Sequence, residues 1–481
     1  MPTPPGQPSG SDLCFLSATE MAALLRKKAL SARELMAAHL AQIERVNPKV
    51  NAIVTQVPAE QLLAQAASAD EAAAAGRWLG PLHGLPLGVK DMHPTKGIRT
   101  TLGSRLFEHT VPAQDNLVVE REKAAGAIVV GKTNVSDLGM GSQTFNPIFG
   151  PTLNPYDLSK TCGGSTGGGA VAAACGMVAL ADGSDFGGSL RNPANFCNIA
   201  GFRPSPGRVP NNTTPLAWFS LSVSGPVGRT VADCALLLSA QAGPDRQSPI
   251  SIEEPGSRFA APLDGRSFKG VKVAMIKDLG LPWEPELLAA MAAQRRIFEA
   301  LGCEVEEAEP DLREAHDCFM TWRHWYFEAQ YGAKLDAQPD KVNPFARWHV
   351  EEGRKLTGPQ LSRAEANRTI LFHRMRRFME RYEFLVLPVN QVLPFDVKTP
   401  YPTKIAGVAM ATYVEWMRSA YSISVLGNPA ISVPCAFSSG GLPIGLQIVG
   451  RHHDDFGVLQ MGHAFEQATQ LGLRRPPIAL P

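Results

Sequence analysis

The fold of this 481-residue chain is decided by residues 162–191, which read CGGSTGGGAVAAACGMVALADGSDFGGSLR. The stretch holds two serines bracketed by glycines, Ser165 in GGSTGGG and Ser189 in DFGGSLR. Flanking glycines let the backbone bring amide N–H groups close to whatever a serine hydroxyl attacks. The alanine-rich run 170–174 favours a helix, and the apolar run 177–181 is typical of a buried strand. We therefore expect a packed loop, helix and strand, and not a flexible linker.

Glycine-rich loops also bind phosphates, but this stretch lacks the features of a phosphate-binding loop. The stretch has no lysine after its glycines, as a P-loop would, and no G-x-G-x-x-G opens it for a dinucleotide. The sequence thus predicts chemistry carried by serine hydroxyls.

Composition limits the partners and the compartment. Lys plus Arg number 46 against 45 Asp plus Glu, so no basic surface for nucleic acid or an anionic membrane is implied. The eight cysteines occur singly, without C-x-x-C or a histidine cluster at metal-ligand spacing, so we expect reduced thiols, no metal and no cofactor. Residues 1–13 read as a disordered leader without the features of a signal peptide, and the longest apolar run is too short to span a bilayer. These features predict a cytoplasmic protein that binds a small, mostly uncharged molecule.

A lysine stands at an unusual place in the first half of the chain. Capping boxes at Ser17 and Ser31 predict two helices, and the second places His39 on its core-facing side. Further on, residues 85–89 read as a buried strand that delivers Lys90 at its carboxyl end. A charged amine there must be paired, reach solvent or be neutral, and an ion pair with Asp91 is the simplest explanation.

Strands and helices alternate after this point, as in a mostly parallel sheet. Residues 116–126 predict a helix and 128–131 a strand. Ligands of such sheets bind at the carboxyl ends of the strands, where Lys90 and Ser189 both fall. The polar loop 140–160 is long enough to cover a site there.

The second half of the chain is mainly helical from about 311 to 383 and then returns to strands at 384–387, 430–433 and 444–449. Four of the seven tryptophans, with Tyr326, Tyr401 and Tyr413, fall between residues 311 and 416. Such aromatic side chains are most often core, and the functional alternative is the wall of an apolar pocket.

A serine hydroxyl is a poor nucleophile at neutral pH, so a base must accept its proton. No histidine occupies a lipase-type G-x-S-x-G elbow or a position beside Ser165 or Ser189, although a distant histidine partner stays open. A neutral lysine is the alternative base.

The chain resembles the amidase signature enzymes over nearly its whole length. The motifs that carry it, in family order, are GLPLGVKD (84–91), GKTN (131–134), FGPTLNPYD (149–157), GGSTGG, SDFGGSLRNPA, GFRPSPGRVP, GPVGRTVADCALLL, GNPAISVP and GLPIGLQIVGR. The resemblance implies one large α/β domain over 14–481 with a mixed central β-sheet flanked by helices on both faces. Its core would span about 60–245 and 384–475, with a more variable helical pocket region at about 311–416.

The resemblance also implies roles for individual residues. Lys90 would be a neutral base, Ser165 a bridging serine held by a cis peptide, and Ser189 the nucleophile that carries an acyl group. The backbone amides of Phe186, Gly187, Gly188 and Ser189 would form the oxyanion hole, and Gly139, Met140, Gly141 and Gln143 would contact the substrate.

Some positions depart from the commonest family pattern. Thr166 and Ser184 replace a serine and a threonine, and because both keep a hydroxyl we expect their support roles to survive. Gln143 and Phe145 leave the substrate open. Asp185 and Arg191 flank the nucleophile, and an ion pair that fixes the loop is a better explanation for them than direct catalysis.

Three functions follow as hypotheses. The first is a hydrolase of carboxylic amides acting on apolar or aromatic substrates, with carbamates (urethanes) or esters in its range, and the family breadth leaves a homodimer open. The second is a glutaminase-type amidotransferase subunit that works with a tRNA-dependent partner. The third, a non-catalytic binding protein on an amidase scaffold, is disfavoured because Lys90, Ser165 and Ser189 are all present.

Overall fold

The computed structural model describes residues 10–212 and 215–480, and these residues form an eleven-stranded sheet, a separate two-stranded hairpin and the helices packed around them. The strands are β1 (Ile53–Gln56), β2 (Pro86–Lys90), β3 (Ile128–Thr133), β4 (Leu180–Asp185), β5 (Ala200–Arg203), β6 (Val223–Gly228), β7 (Lys272–Met275), β8 (Glu304–Glu307), β9 (Phe384–Pro388), β10 (Lys404–Ile405), β11 (Val408–Ala409), β12 (Ala430–Phe437) and β13 (Pro443–Val449). The helices are α1 (Gly10–Leu13), α2 (Ala18–Arg26), α3 (Ala32–Val50), α4 (Ala59–Ala74), α5 (Leu117–Ala124), α6 (Gly167–Ala174), α7 (Arg191–Phe196), α8 (Val231–Gln241), α9 (Pro285–Ala293), α10 (Arg295–Ala300), α11 (Ala315–Ala337), α12 (Pro344–Arg354), α13 (Gly358–Arg381), α14 (Arg418–Leu426) and α15 (Asp455–Thr469).

The large sheet is mixed, which confirms the predicted fold class. Its strand order is β1-β3-β2-β4-β6-β5-β12-β13-β9-β7-β8. Among these described strands, β3-β2-β4 and β9-β7-β8 are parallel blocks, and the other neighbouring pairs are antiparallel. The expectation of a mostly parallel sheet was therefore wrong. Strand–helix–strand alternation identified the parallel blocks, but the pairings of β4 with β6 and of β12 with β13 are set by tertiary packing.

The parallel block β3-β2-β4 positions the site. Because its three strands run in one direction, their carboxyl ends meet at one edge of the sheet. Lys90 ends β2 there, and Asp185 ends β4 four residues before Ser189. The strand predicted at 177–181 actually begins at Leu180 and continues through polar residues. Apolar patterning missed this shift, since the polar side chains of β4 are buried with hydrogen-bond partners.

The amino-terminal helices form as their capping boxes predict. The side chains of Ser17 and Ser31 cap α2 and α3, and each serine N–H donates in return to the carboxylate of the glutamate three residues later. His39 is fully buried on the core side of α3, and burial lowers its pKa to about 3. Residues 10–13, which the predicted disordered leader included, form α1, and residues 1–9 lie outside the described part of the chain.

Apolar side chains form two large clusters against the sheet. One joins α2, α3, α4 and α6 to the strands β1 to β4. The other joins β5, β7, β9, β12 and β13 to α8, α11, α13 and α15. The predicted helical region consists of α11, α12 and α13. Of the aromatic residues singled out in this region and just after it, Trp416 and Tyr413 are buried in the core, whereas the others are half-buried: Trp322, Trp325, Tyr326, Trp348 and Tyr401.

Candidate active site

Lys90, at the carboxyl end of β2, is fully buried and points at the glycine-rich loop. Its Nζ donates a hydrogen bond of 2.9 Å to Ser165 Oγ. The peptide bond between Gly164 and Ser165 is cis. The ion pair with Asp91 is not formed, because the Asp91 carboxylate accepts hydrogen bonds from the backbone and side chain of Thr101. Two residues that lie 75 positions apart in the sequence are thus in direct hydrogen-bond contact.

Burial changes the charge state of this lysine. Removal from water lowers the pKa of Lys90 from 10.5 to about 7, although the negative charges of Asp182 and Asp185 act in the opposite direction. A substantial fraction of Lys90 is therefore uncharged at neutral pH. An uncharged amine next to a hydroxyl can accept its proton, which a normal surface lysine cannot do.

Two further hydroxyls surround the same amine. Lys90 Nζ lies 2.9 Å from Thr166 Oγ1 and 3.0 Å from Ser184 Oγ. Thr166 and Ser184 are two of the positions where the sequence departs from the commonest family pattern. Both hydroxyls are in hydrogen-bond contact with the amine, so the substitutions keep the polar surroundings of Lys90.

Ser189 lies in the turn between β4 and α7, and its residue is 6% exposed. The turn is tied to the other serine loop by a 3.2 Å hydrogen bond from the Thr166 amide to the Ser189 carbonyl. Gly188 has φ +118°, a conformation that L side chains rarely adopt. Among the described residues, the side chains of Ser165 and Ser189 are not hydrogen-bonded to each other. Catalytic hydrogen bonds are often long without substrate, so this geometry leaves a relay open.

A buried carboxylate, that of Asp185, holds the turn that carries Ser189. Asp185 accepts hydrogen bonds from the amides of Gly188 (2.9 Å) and Leu190 (3.3 Å) and forms ion pairs with Arg191 (3.1 Å) and Arg203 (2.9 Å). Burial alone would raise the pKa of Asp185, but the two guanidinium groups hold it well below its ordinary range. The expected Asp185–Arg191 ion pair is therefore present, and Arg203 is a second partner that no sequence pattern indicated.

The residues predicted to contact substrate do not all face the serines in the same way. A Cβ on Gly139 would lie 3.6 Å from Ser165 Oγ, so the backbone there approaches the serine closely. Met140 and Phe145 line a cavity of about 390 Å³ together with Phe345. The Gln143 side chain instead donates to the carbonyl of Val397 at 2.7 Å. A Cβ on Gly141 would meet open space.

An aromatic cluster surrounds Phe186, the residue just after β4. Its ring centroid lies 5.6 Å from that of Phe219, 5.6 Å from Phe319 and 5.2 Å from Tyr326. The guanidinium of Arg323 lies over the same ring at 5.4 Å. Aromatic side chains of α11 therefore reach the backbone that precedes Ser189, as the pocket-wall interpretation requires.

Two residues of the site carried no signal in the sequence. Asp182, on β4, accepts the backbone N–H of Lys90 at 2.5 Å, and its other oxygen lies 2.6 Å from His93 Nδ1. Asp182 reads as an isolated acid in an apolar run, and His93 as an ordinary loop residue. Only the pairing of β2 with β4 brings them to Lys90.

The described residues contain no group of three or more His, Cys, Asp or Glu side chains arranged to hold a metal ion. Over the same residues, every helix is too short or too polar to cross a membrane.

Known proteins share this fold and these motifs. The family model named Amidase matches residues 34–459. An acylamidase of Rhodococcus erythropolis is 34% identical over 473 residues, covering 98% of this chain and 98% of that protein. A glutamyl-tRNA(Gln) amidotransferase subunit of Moorella thermoacetica is 34% identical over 499 residues, covering 98% of this chain and 100% of that protein. The solved structure of a bacterial aryl acylamidase of the amidase signature family has a TM-score of 0.89 at 27% identity, covering 96% and 99% of the two chains.

The site and fold define an enzyme of the amidase class, a carbon–nitrogen hydrolase. The chain belongs to the amidase signature family, whose members act on small amides. One of its relatives is by name a subunit of an amidotransferase for glutamyl-tRNA(Gln), so the absence of a nucleic-acid partner stays a prediction.

Proposed function

We propose that this protein hydrolyses carboxylic amides through a serine acyl-enzyme, with Ser189 as nucleophile, Ser165 as proton bridge and Lys90 as base. The observation that carries the proposal is the contact of 2.9 Å between a fully buried lysine amine and Ser165 Oγ. Because none of the described carboxylates is in salt-bridge contact with it, this amine is poised to accept a proton.

In the first step, Ser189 Oγ attacks the substrate carbonyl carbon as its proton passes to Ser165 and the Ser165 proton passes to Lys90. A C–O bond forms and the carbonyl π electrons move to the oxygen. The C–N bond then breaks, and the nitrogen leaves with the proton held by Lys90. Water attacks the acyl group in the second step, which releases the acid and restores Ser189.

The developing oxyanion needs backbone donors. Since the Gly188 amide already donates to Asp185, we assign the oxyanion hole to the neighbouring amides of Phe186, Gly187 and Ser189. The proposed oxyanion hole therefore has three of the four amides expected from the sequence, without that of Gly188. The role of Gly188 is then to let the turn adopt its shape.

We further propose that the substrates are apolar or aromatic amides, with carbamates or esters as slower alternatives. The aromatic cluster around Phe186, three residues before Ser189, supports this choice. The identity to the Rhodococcus erythropolis acylamidase points the same way.

A glutaminase of the amidotransferase type is the second candidate, because the Moorella thermoacetica protein covers the same 98% of this chain at the same identity of 34%. The two functions differ in substrate. Glutamine is a small polar amide, whereas an anilide presents an apolar ring to the pocket.

Labelling with a serine-directed phosphonate, followed by peptide mass spectrometry, tests the nucleophile. We expect modification of Ser189 in the wild type and none in Ser189→Ala. Modification of another serine, or turnover by Ser189→Ala, would refute the mechanism. A panel of anilides, alkyl amides, carbamates, esters and glutamine then separates the two functions, with Ser189→Ala as the background for each compound.

A further inference from the structure

His93 and Asp182 enclose the backbone of Lys90. Asp182 Oδ1 accepts the Lys90 N–H at 2.5 Å, and the His93 N–H donates to the Lys90 carbonyl at 2.9 Å. His93 Nδ1 and Asp182 Oδ2, 2.6 Å apart, close the ring. We call this pair the His93–Asp182 clasp. Both backbone polar groups of the lysine are thus bound to one histidine–aspartate pair.

The clasp is buried and held from several strands. Asp182 is fully buried and His93 is 5% exposed. A carboxylate accepts only, so His93 Nδ1 carries the proton between them. His93 Nε2 lies 3.4 Å from Ser224 Oγ on β6, and the His93 carbonyl accepts a hydrogen bond from Lys132 on β3. A buried carboxylate is tolerated only with such partners, so the clasp is a built feature.

Two carboxylates raise the pKa of Lys90, and of these Asp182 is the one that is not neutralised by arginines. Burial has the largest effect on the pKa of Lys90 and lowers it, whereas the negative charges of Asp182 and then of Asp185 raise it. Asp185 is already neutralised by two arginines. Asp182 is also faced by Lys132 and Glu122, and Lys132 in turn by Asp91. Asp182 therefore combines a direct hydrogen bond to the lysine backbone with a charge that acts on its amine.

We propose that the His93–Asp182 clasp positions Lys90 and sets the pH range in which this lysine accepts a proton from Ser165. The inference rests on the proposed function, in which Lys90 is the base. Neither clasp residue touches the reacting atoms, so both act through the lysine.

The variant Asp182→Asn tests this role. Asparagine is isosteric, its oxygen can still accept the Lys90 N–H, and its amide can donate to a neutral His93 whose proton has moved to Nε2. The change therefore removes charge and keeps the hydrogen bonds. We expect the acidic limb of the kcat profile to move to lower pH by about one to three units, the usual effect of a neighbouring opposite charge. The titration of Lys90, followed by NMR in protein with labelled lysine and assigned with Lys90→Met, should move by the same amount.

A second variant, His93→Phe, tests the inference independently if Asp182→Asn does not fold. His93→Phe keeps a ring but removes the N–H that Asp182 accepts, so the charge on Asp182 is less compensated. The Lys90 titration should then move to higher pH, opposite to Asp182→Asn. A titration that stays unchanged in both variants, or that moves upward in Asp182→Asn, would overturn the inference.

Asp233→Asn is the matched control, since Asp233 is also a fully buried aspartate, at the start of α8. It should leave the acidic limb and the Lys90 titration in place. The Lys90→Met enzyme separates this inference from the proposed function. If Lys90→Met is as active as the wild type, the base assignment fails. If it is inactive and Asp182→Asn shifts nothing, only the clasp inference fails.

Discussion

The buried lysine should make the protein more stable as the pH rises, and Lys90→Met should remove that dependence. The unfolded chain holds its lysine proton up to about 10.5, whereas the folded protein releases it near 7. Between these values the unfolded state binds more protons, so the free energy of unfolding rises with pH. The free-energy cost of burying the protonated Lys90 is fully present below pH 7 and disappears as the pH approaches 10.5.

The size follows from the two pKa values. Each pH unit is worth about 1.4 kcal/mol, so the lysine, half titrated at pH 7, costs roughly 4 kcal/mol there and roughly 2 kcal/mol at pH 9. Methionine has similar length and no charge. The hydrogen bonds that Lys90→Met loses to Ser165 and Thr166 lower its stability by an amount that varies little with pH. The difference between wild type and variant should therefore change by about 2 kcal/mol in favour of the wild type from pH 7 to pH 9.

Urea unfolding of both proteins at several pH values, followed by circular dichroism, measures this difference. Lys272→Met, at a lysine on β7 whose side chain is 43% exposed, is the control and should run parallel to the wild type. The variant Lys90→Met should also lose about 10²- to 10⁴-fold in kcat, the usual contribution of a general base. Parallel stability curves for the wild type and Lys90→Met would refute the buried neutral lysine.

Three further predictions concern the nucleophile turn and the core. Asp185→Asn leaves two buried guanidinium groups without their carboxylate and should lower the free energy of unfolding by about 3–5 kcal/mol in urea titrations, while Asp264→Asn at the surface should not. Gly188→Ala places a Cβ 2.7 Å from that of Ala420 at φ +118°, so kcat should fall about 100-fold. Gly441→Ala, at φ +80° in open space, should keep its kcat, and an equal loss would contradict the steric reasoning. All eight cysteines are buried and reduced, so a thiol reagent should modify eight groups in denaturant and almost none in the native protein.

Much of the site could be read from local pattern. The end of β2 at Lys90 follows from the apolar run before it, and the serines of the glycine-rich loops are marked by their neighbours. The capping boxes of α2 and α3 depend on residues three apart, so they formed as predicted. These features are local, and local chemistry is what a sequence reports directly.

The residues that can supply the chemistry are recognisable in the amino-acid sequence: a lysine at a strand end and two glycine-bracketed serines. The tertiary structure alone decided that Lys90 is buried beside Ser165, that Asp182 and His93 bind its backbone, and that Arg203 joins Arg191 on Asp185. The physical reason is that strand pairing joins distant segments, and the charge state of a lysine depends on the water and charges around it after folding. A pattern along the chain shows neither which distant strands pair nor which charges surround a buried lysine.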